Sequence, residues 1–314
     1  MRRQFGRREM SDLTNVPPEI VVPGSISNLG PGFDVLSVAV RLYLRAKIVE
    51  VRPSEPDTVT WEFAGAGPTG ENRIESAYRL ARKEIGIAVP GLRVQVASDI
   101  PQTAGLGSSA AAAVAGLRLY EAMTSPRPVE DWLRLATKLE GHPDNAAAAL
   151  LGGMTISCQS DNGSIIARSS EWPEAVKLVV ATPDVGLHTS HARQVLPDAI
   201  PLPDAIFNLQ RALLFVDALR AGRYSDLREA MKDRWHQPVR ASLVPGLAQA
   251  IAFDDPEILG VCLSGAGPSI VALSNDGGTR ATALLTTLYK GLGLPCTIRV
   301  LQAHPTTDTR TNRS

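Results

Sequence analysis

The pattern of apolar and polar positions divides the chain into alternating short strands and helices. A β-branched run, Ile20, Val21 and Val22, opens the ordered part near Pro18. Residues 35–51 are rich in β-branched and apolar side chains and predict one long strand or a hairpin. Residues 58–63 and 92–97 alternate with period two and predict strands. Across 74–85, Ile74, Ala77, Tyr78, Ala81 and Ile85 fall on one face at helical spacing. The stretch SSAAAAVAGLRLYEAM from Ser108 predicts a helix with a small-residue face, since alanine has the best helix propensity. Helices follow at 129–139 and at 144–151, the latter stopped by Gly152 and Gly153. Residues 154–158 and 177–181 predict strands.

Beyond these the texture changes. Helices are predicted at 204–221 and 225–235. A strand-turn-strand at 260–273 is interrupted by SGAGPS, and a helix at 281–292 and a strand at 297–301 close the series. Mixed strands and helices without an internal repeat give an α+β chain. A boundary between 171 and 176 sets domains at 18–173 and 174–304, with flexible tails at 1–17 and 305–314.

Composition narrows the partners. Formal net charge is +0, against the basic excess of a nucleic-acid binder, so a bound anion has to be held by local groups. No apolar run is long enough to span a bilayer. Arg2, Arg3, Arg7 and Arg8 are interrupted by Glu9 and Asp12 and read as a solvated tail rather than a targeting signal. Cys158, Cys262 and Cys296 follow no metal-ligand spacing; they fit a reducing, cytoplasmic setting and are expected to be buried small hydrophobes. Oligomeric state is not set by the sequence, which leaves room for a homodimer.

Four loops combine glycine or proline with polar groups. In PQTAGLGSSAAAAVAG, from Pro101, a strand passes through Gly105 and Gly107 into a helix start. The first helix amides have no internal partners there, and the helix dipole favours an anion. Ser108 and Ser109 add hydroxyls. No lysine lies in this loop, so it is not a Walker A sequence. The plainer reading is a serine-capped turn. PGSISNLGPGFD, Pro23 to Asp34, can face Asn28 and Asp34 into a cavity, or merely form a tight turn. In EGHPDN, Glu140 is suited to Mg²⁺, and His142 and Asp144 to a polar substrate; a helix cap is the simpler alternative. CLSGAGPS, from Cys262, makes a tight loop between two apolar strands. Four such loops in one chain point to one cleft.

In this order, PGSISNLGPGFD, PQTAGLGSSAAAA and CLSGAGPS resemble the three motifs of the GHMP kinases, over residues 18–304. Within that family LEGHPDNAAAALLGG, HTSHARQVLP and QPVRASLVPG resemble segments of the branch that phosphorylates homoserine. The resemblance implies a two-domain GHMP kinase fold, with a ribosomal S5 domain 2-like N-terminal domain and a ferredoxin-like C-terminal domain. It implies ATP as co-substrate on Asn72, Pro101, Gly105, Leu106, Gly107, Ser108, Ser109, Ala110, Gly265 and Gly267, and Mg²⁺ on Ser109 and Glu140. L-homoserine would be surrounded by Asn28, Asp34, His142, Asp144, Thr189, Arg193 and Arg240. Catalysis would fall to Asn28, Glu140 and Asp144, with Asn28 orienting the hydroxyl and Asp144 as the candidate base. The arginines suit a carboxylate and Asp34 an ammonium. A mevalonate- or sugar-type kinase, or a non-catalytic nucleotide-binding member, are the alternatives; a sugar needs neither arginine. Ser27, Ser37 and Arg73 depart from the family pattern, Arg73 standing where an apolar residue is usual.

Overall fold

The computed structural model describes residues 19–307, apart from 66 and 188 and the side chains of Thr189 and Ser190. The expectations for residues 1–17, including the four N-terminal arginines, and for 308–314 lie outside the described residues.

The first sheet is built around one strand. β1 (Ile20–Ser27), β2 (Leu36–Arg52), β3 (Val59–Phe63), β4 (Gly91–Ser98), β5 (Met154–Gln159) and β6 (Ile165–Ser170) run in the order β3-β4-β2-β5-β6, with β1 also paired to β2. β2 is a single strand of 17 residues rather than a hairpin. One of its edges carries β1, from Ser37 to Ala46. The other carries β5 at Leu36 to Val38, then β4 from Leu44 to Arg52. The gap between these two is filled by the end of the chain. The Arg41 amide donates to the Gln302 carbonyl at 3.0 Å, and the His304 amide to the Ala39 carbonyl at 2.8 Å. Residues 305–307, expected to open a loose tail, are also tied down. The Thr307 amide donates to the Leu151 carbonyl and the Thr306 amide to Glu171 Oε1. The Leu151 carbonyl ends a helix and has no intrahelical partner there, and Thr307 supplies one.

Four helices cover this sheet: α1 (Arg73–Ile85), α2 (Ser108–Ala122), α3 (Val129–Glu140) and α4 (Asp144–Leu151). α1 starts at Asn72, whose Oδ1 accepts from the Ile74 and Glu75 amides, and stops at left-handed Gly86. α2 is buried nearly all round, which its alanines permit. At Gly116 an added Cβ would meet the Ile74 carbonyl oxygen at 2.1 Å, so glycine sets the α1–α2 approach.

The second sheet is antiparallel, with β7 (Lys177–Pro183), β8 (Ile258–Leu263), β9 (Ile270–Ser274) and β10 (Cys296–Leu301) in the order β10-β7-β9-β8. Around it lie α5 (Thr189–Gln194), α6 (Leu202–Ala221), α7 (Leu227–Ala230), α8 (Gln237–Arg240), α9 (Leu247–Ile251) and α10 (Thr279–Gly291). The single helix predicted at 225–235 is instead broken. The Asp233 carboxylate accepts from the Trp235, His236 and Gln237 amides, and this local bonding competes with helix continuation. One face of the sheet, through Val179, Ala181 and Ile270, packs on Leu285 and Tyr289 of α10. The other, through Leu178, Val180, Val271 and Leu273, belongs to the same buried cluster as the first half. The two halves therefore share a core.

Of the cysteines, Cys262 is fully buried and its thiol is pushed up to about 12 by desolvation. Cys158 is exposed, against expectation: strand alternation puts it on the outer face of β5 with Ile156.

Candidate active site

Three of the four glycine-rich loops are stitched together by their own backbones. The Ser25 amide donates to the Leu106 carbonyl, the Ser269 amide to Ala104, and the Gly265 amide to Ser27. Ser264 Oγ donates to the Gly105 carbonyl at 2.6 Å. Gly105 has φ +74°, and an added Cβ would lie 2.3 Å from the Ser264 carbonyl oxygen; at Gly107, φ +72°, it would lie 2.1 Å from Ser25 Oγ. Both positions require glycine for conformation and for space. The fourth loop joins through Asn145, which accepts from Ser25 Oγ at 2.7 Å and donates to Ser27 Oγ at 3.2 Å. All four loops line one cleft of about 490 Å³.

At one pole of the cleft α2 begins. Gly107 is its N-cap and has no side chain to offer, so the amides of Ser108, Ser109 and Ala110 are left without intrahelical partners, in residues that line the cleft. Ser109 Oγ donates to Glu140 Oε1 at 2.8 Å, and Arg73 Nε lies 4.0 Å from the same oxygen. Burial pushes the Glu140 carboxyl above its ordinary range, opposed by the Ser109 hydrogen bond and by Arg73 and His142. A desolvated carboxylate beside a hydroxyl, with an ion partner no nearer than 4.0 Å, fits Mg²⁺, which takes oxygen ligands. Asp34, His142 and Asp144 also converge, with donor atoms within 4.8 Å. That set includes a nitrogen and a carboxylate already paired to arginine, so it suits Mg²⁺ less well.

The other pole is ionic. Arg193, on α5, donates two hydrogen bonds to Asp34, at 3.1 and 2.6 Å. Arg240, on α8, is buried; its Nε donates to the Ala192 carbonyl and its Nη1 to that of Gly265. Both guanidiniums stand over Phe33, at 5.3 and 5.2 Å from the ring centre. Burial lowers the Arg240 pKa to about 10, which still leaves it charged at neutral pH. His142 donates through Nδ1 to Asp144 Oδ1 at 2.5 Å. Burial opposes charge on His142, but the bond to Asp144 and its charge outweigh this and raise the pKa. Asp144, almost fully buried at the α4 N-terminus, also accepts from the Asn145 amide.

Most of the residues singled out from the sequence meet in this cleft: Asn28, Asp34, Gly105, Gly107, Ser108, Ser109, Ala110, Glu140, His142, Asp144, Arg193, Arg240 and Gly265 line it. Several do not. Asn72 commits its Oδ1 to capping α1, and its neighbour Arg73 lines the cleft instead. Pro101, Leu106 and Gly267 are not among the lining residues: Leu106 is buried, and a Cβ added at Gly267 would meet Leu263 and Val244. Thr189 starts α5, but its side chain is outside the described residues. Asn28 is held at both ends, its Nδ2 donating to the Gly265 carbonyl and its Oδ1 accepting from the Asp34 amide.

Comparison with known proteins places the chain in a family. Residues 72–153 match the GHMP kinases N terminal domain, and 215–285 the GHMP kinases C terminal domain. The homoserine kinase of Thermus thermophilus is 40% identical over 276 residues, covering 87% of this chain and 92% of that protein. The chain belongs to the GHMP kinase family. A homoserine kinase of Moorella thermoacetica is 37% identical over 90% of this GHMP kinase and 96% of its own length. Among solved structures, the homoserine kinase from Cytophaga hutchinsonii superposes with a TM-score of 0.79 at 25% identity, covering 93% of this chain and 96% of that one. The mevalonate kinase of Methanococcus jannaschii, at 14% identity and a TM-score of 0.66, shares the fold. The fold is thus the two-domain GHMP kinase fold of mixed helix and sheet.

Two residues that line this GHMP kinase cleft, and one buried behind it, have roles the sequence did not show. Asn145 joins loops 120 residues apart, Phe33 carries both guanidiniums, and His236 bonds the Gly30 carbonyl through Nε2 at 2.8 Å. Arg240 only donates, so the 3.4 Å contact of its Nη1 with His236 Nδ1 makes that nitrogen the acceptor. His236 is then neutral, as its full burial favours by lowering its pKa. Asn145 and Phe33 lie inside the EGHPDN and PGSISNLGPGFD motifs, but neither motif shows what those side chains meet, and His236 lies in none of the four loops.

Proposed function

We propose that this chain transfers the γ-phosphoryl group of ATP to the hydroxyl of L-homoserine, giving O-phospho-L-homoserine on the route to threonine. The observation that carries this reading is the polarity of the cleft. An anion-accepting helix start lies at one pole, and two guanidiniums with the carboxylates of Asp34 and Asp144 lie at the other. The first suits the phosphates of a nucleotide; the second suits a zwitterion. The homoserine kinases at 37–40% identity support the same substrate pair.

Phosphoryl transfer passes through a loose transition state, so positioning and charge stabilisation do most of the work. The amides of Ser108 to Ala110 face the transferred charge and stabilise it as it redistributes. Ser109 and Glu140 would hold Mg²⁺, which when bound supplies positive charge to the phosphate oxygens. Arg193 and Arg240 bind the substrate carboxylate, and Asp34 exchanges its Arg193 partner for the ammonium. Asn28, locked by two hydrogen bonds, orients the hydroxyl. Asp144, itself oriented by His142 and the Asn145 amide, is the candidate to accept the hydroxyl proton. No helix among the described residues is long and apolar enough to cross a membrane, and we assign the activity to the cytoplasm. A homodimer is compatible with this reading, and light scattering decides the state.

The test is an ADP-release assay with Mg·ATP, comparing L-homoserine, mevalonate, galactose and no acceptor. Release is expected with L-homoserine alone. Arg193→Ala is expected to raise KM for homoserine about 10- to 100-fold, as loss of a charged hydrogen-bond pair does, with a smaller effect on KM for ATP. Release that depends on another acceptor would overturn the substrate assignment and leave the phosphate site standing.

A further inference from the structure

We propose that Arg73 binds the polyphosphate of the nucleotide, acting as the side-chain cation of the phosphate pole. This rests on the reading of the cleft as a nucleotide site. The argument begins with charge. Backbone amides at a helix start present a partial charge of about +0.5, small against a nucleotide triphosphate. The phosphate loop contains no lysine, and no lysine is among the described residues that line the cleft. Of its cationic side chains, Arg193 is engaged by Asp34, Arg240 by the Ala192 and Gly265 carbonyls, and His142 by Asp144. All three belong to the far pole.

Arg73 is on the near side. Its Nε approaches Glu140 Oε1, the same oxygen that accepts from Ser109 Oγ, so guanidinium and hydroxyl flank one carboxylate beside the α2 amides. The 4.0 Å separation is a contact of charge rather than a hydrogen bond. The shorter partner of Arg73 is Glu71 at 3.0 Å, a carboxylate that is 60% exposed. An exposed pair of this kind contributes little, so exchanging it for phosphate costs little. When Glu140 is committed to a cation, Arg73 loses its second carboxylate and its planar fork turns to the phosphate oxygens, which it can bind in two bonds. The local fold supports this. Arg73 is the first residue of α1, whose start is fixed by the Asn72 cap and does not depend on the arginine side chain.

Calorimetric titration of the full chain with ADP, AMP and adenosine in Mg²⁺ buffer tests the assignment, using wild type, Arg73→Met and Arg73→Lys. Methionine keeps the apolar stem and removes the charge. ADP affinity is expected to fall about tenfold in Arg73→Met and less in Arg73→Lys, the size of one charge-assisted hydrogen bond, while adenosine binding stays unchanged. The wild-type ADP affinity should also fall more steeply with salt than that of Arg73→Met. Unchanged ADP affinity in Arg73→Met, or an equal loss for adenosine, overturns the assignment and leaves the kinase reading intact. A wild-type chain that binds no ADP sinks the nucleotide reading and Arg73 with it. Thermal unfolding of each variant checks that the fold is retained.

Discussion

Glu140 sets function against stability within one side chain. Its carboxylate is desolvated and, among the described residues, bonded to a single hydroxyl. Glu140→Gln keeps the acceptor for Ser109 and removes the buried charge. Without metal, its melting temperature is expected to exceed that of wild type, while kcat/KM falls at least about 100-fold. Equal melting temperatures by differential scanning fluorimetry would show that burial does not strain this group. His142 titrates in the opposite sense to an ordinary buried imidazole. Its folded pKa is raised by Asp144, so its stabilising contribution is present in full below the unfolded value near 6.5 and is lost as pH rises through the folded one. Urea denaturation at about pH 5.5 and about pH 8.5 should therefore find His142→Gln destabilised more at the lower pH. At this scale the sequence revealed residues whose chemistry is contiguous. Gly105, Gly107, Ser108 and Ser109 occur in one run, and their spacing carries the physical reason for their use. His236 and Phe33 were illegible because their partners are brought to them only by folding, in the case of His236 from 206 residues away.

The decisive element is the start of α2. It needs Gly107 twice, for a positive φ and for the space taken by Ser25 Oγ. Gly107→Ala is expected to destabilise the chain by about 1–3 kcal/mol and to weaken ADP binding, since β1 or the loop must shift. A variant with wild-type stability and affinity would remove the close-packing argument. Elements long enough to show a period were readable from sequence: α1, α2, α3, α6 and the strands β2 and β4 begin and end within a few residues of expectation. β6, α5, α8 and α9 span four to six residues and show too little of a period to be recognised. Two of these matter, because α5 carries Arg193 and α8 carries Arg240. The ionic pole was therefore visible as a resemblance in residue type and not as structure.

For the whole molecule, the shared core governs how the chain comes apart. Leu178, Val180, Val271 and Leu273 from the second sheet lie in one cluster with Val38, Leu117 and Leu150 of the first half. Two halves with separate cores would melt separately; these should melt together. Scanning calorimetry is expected to give one transition with calorimetric and van't Hoff enthalpies in agreement. Two resolved peaks would mean that the common cluster does not couple the halves. The division of the chain into two sheets could be anticipated from the change in texture near residue 171, but their joint core could not, because a hydrophobic pattern records which positions are buried and not against what.

The closure of β2 by residues 302–304 bears on the order in which the protein is made. As the chain leaves the ribosome, β1 to β6 emerge long before the segment that fills the space between β5 and β4. Until then β2, the longest strand among the described residues, has open backbone groups at its middle. In that interval the exposed edge of β2 is open to pairing with the wrong strand.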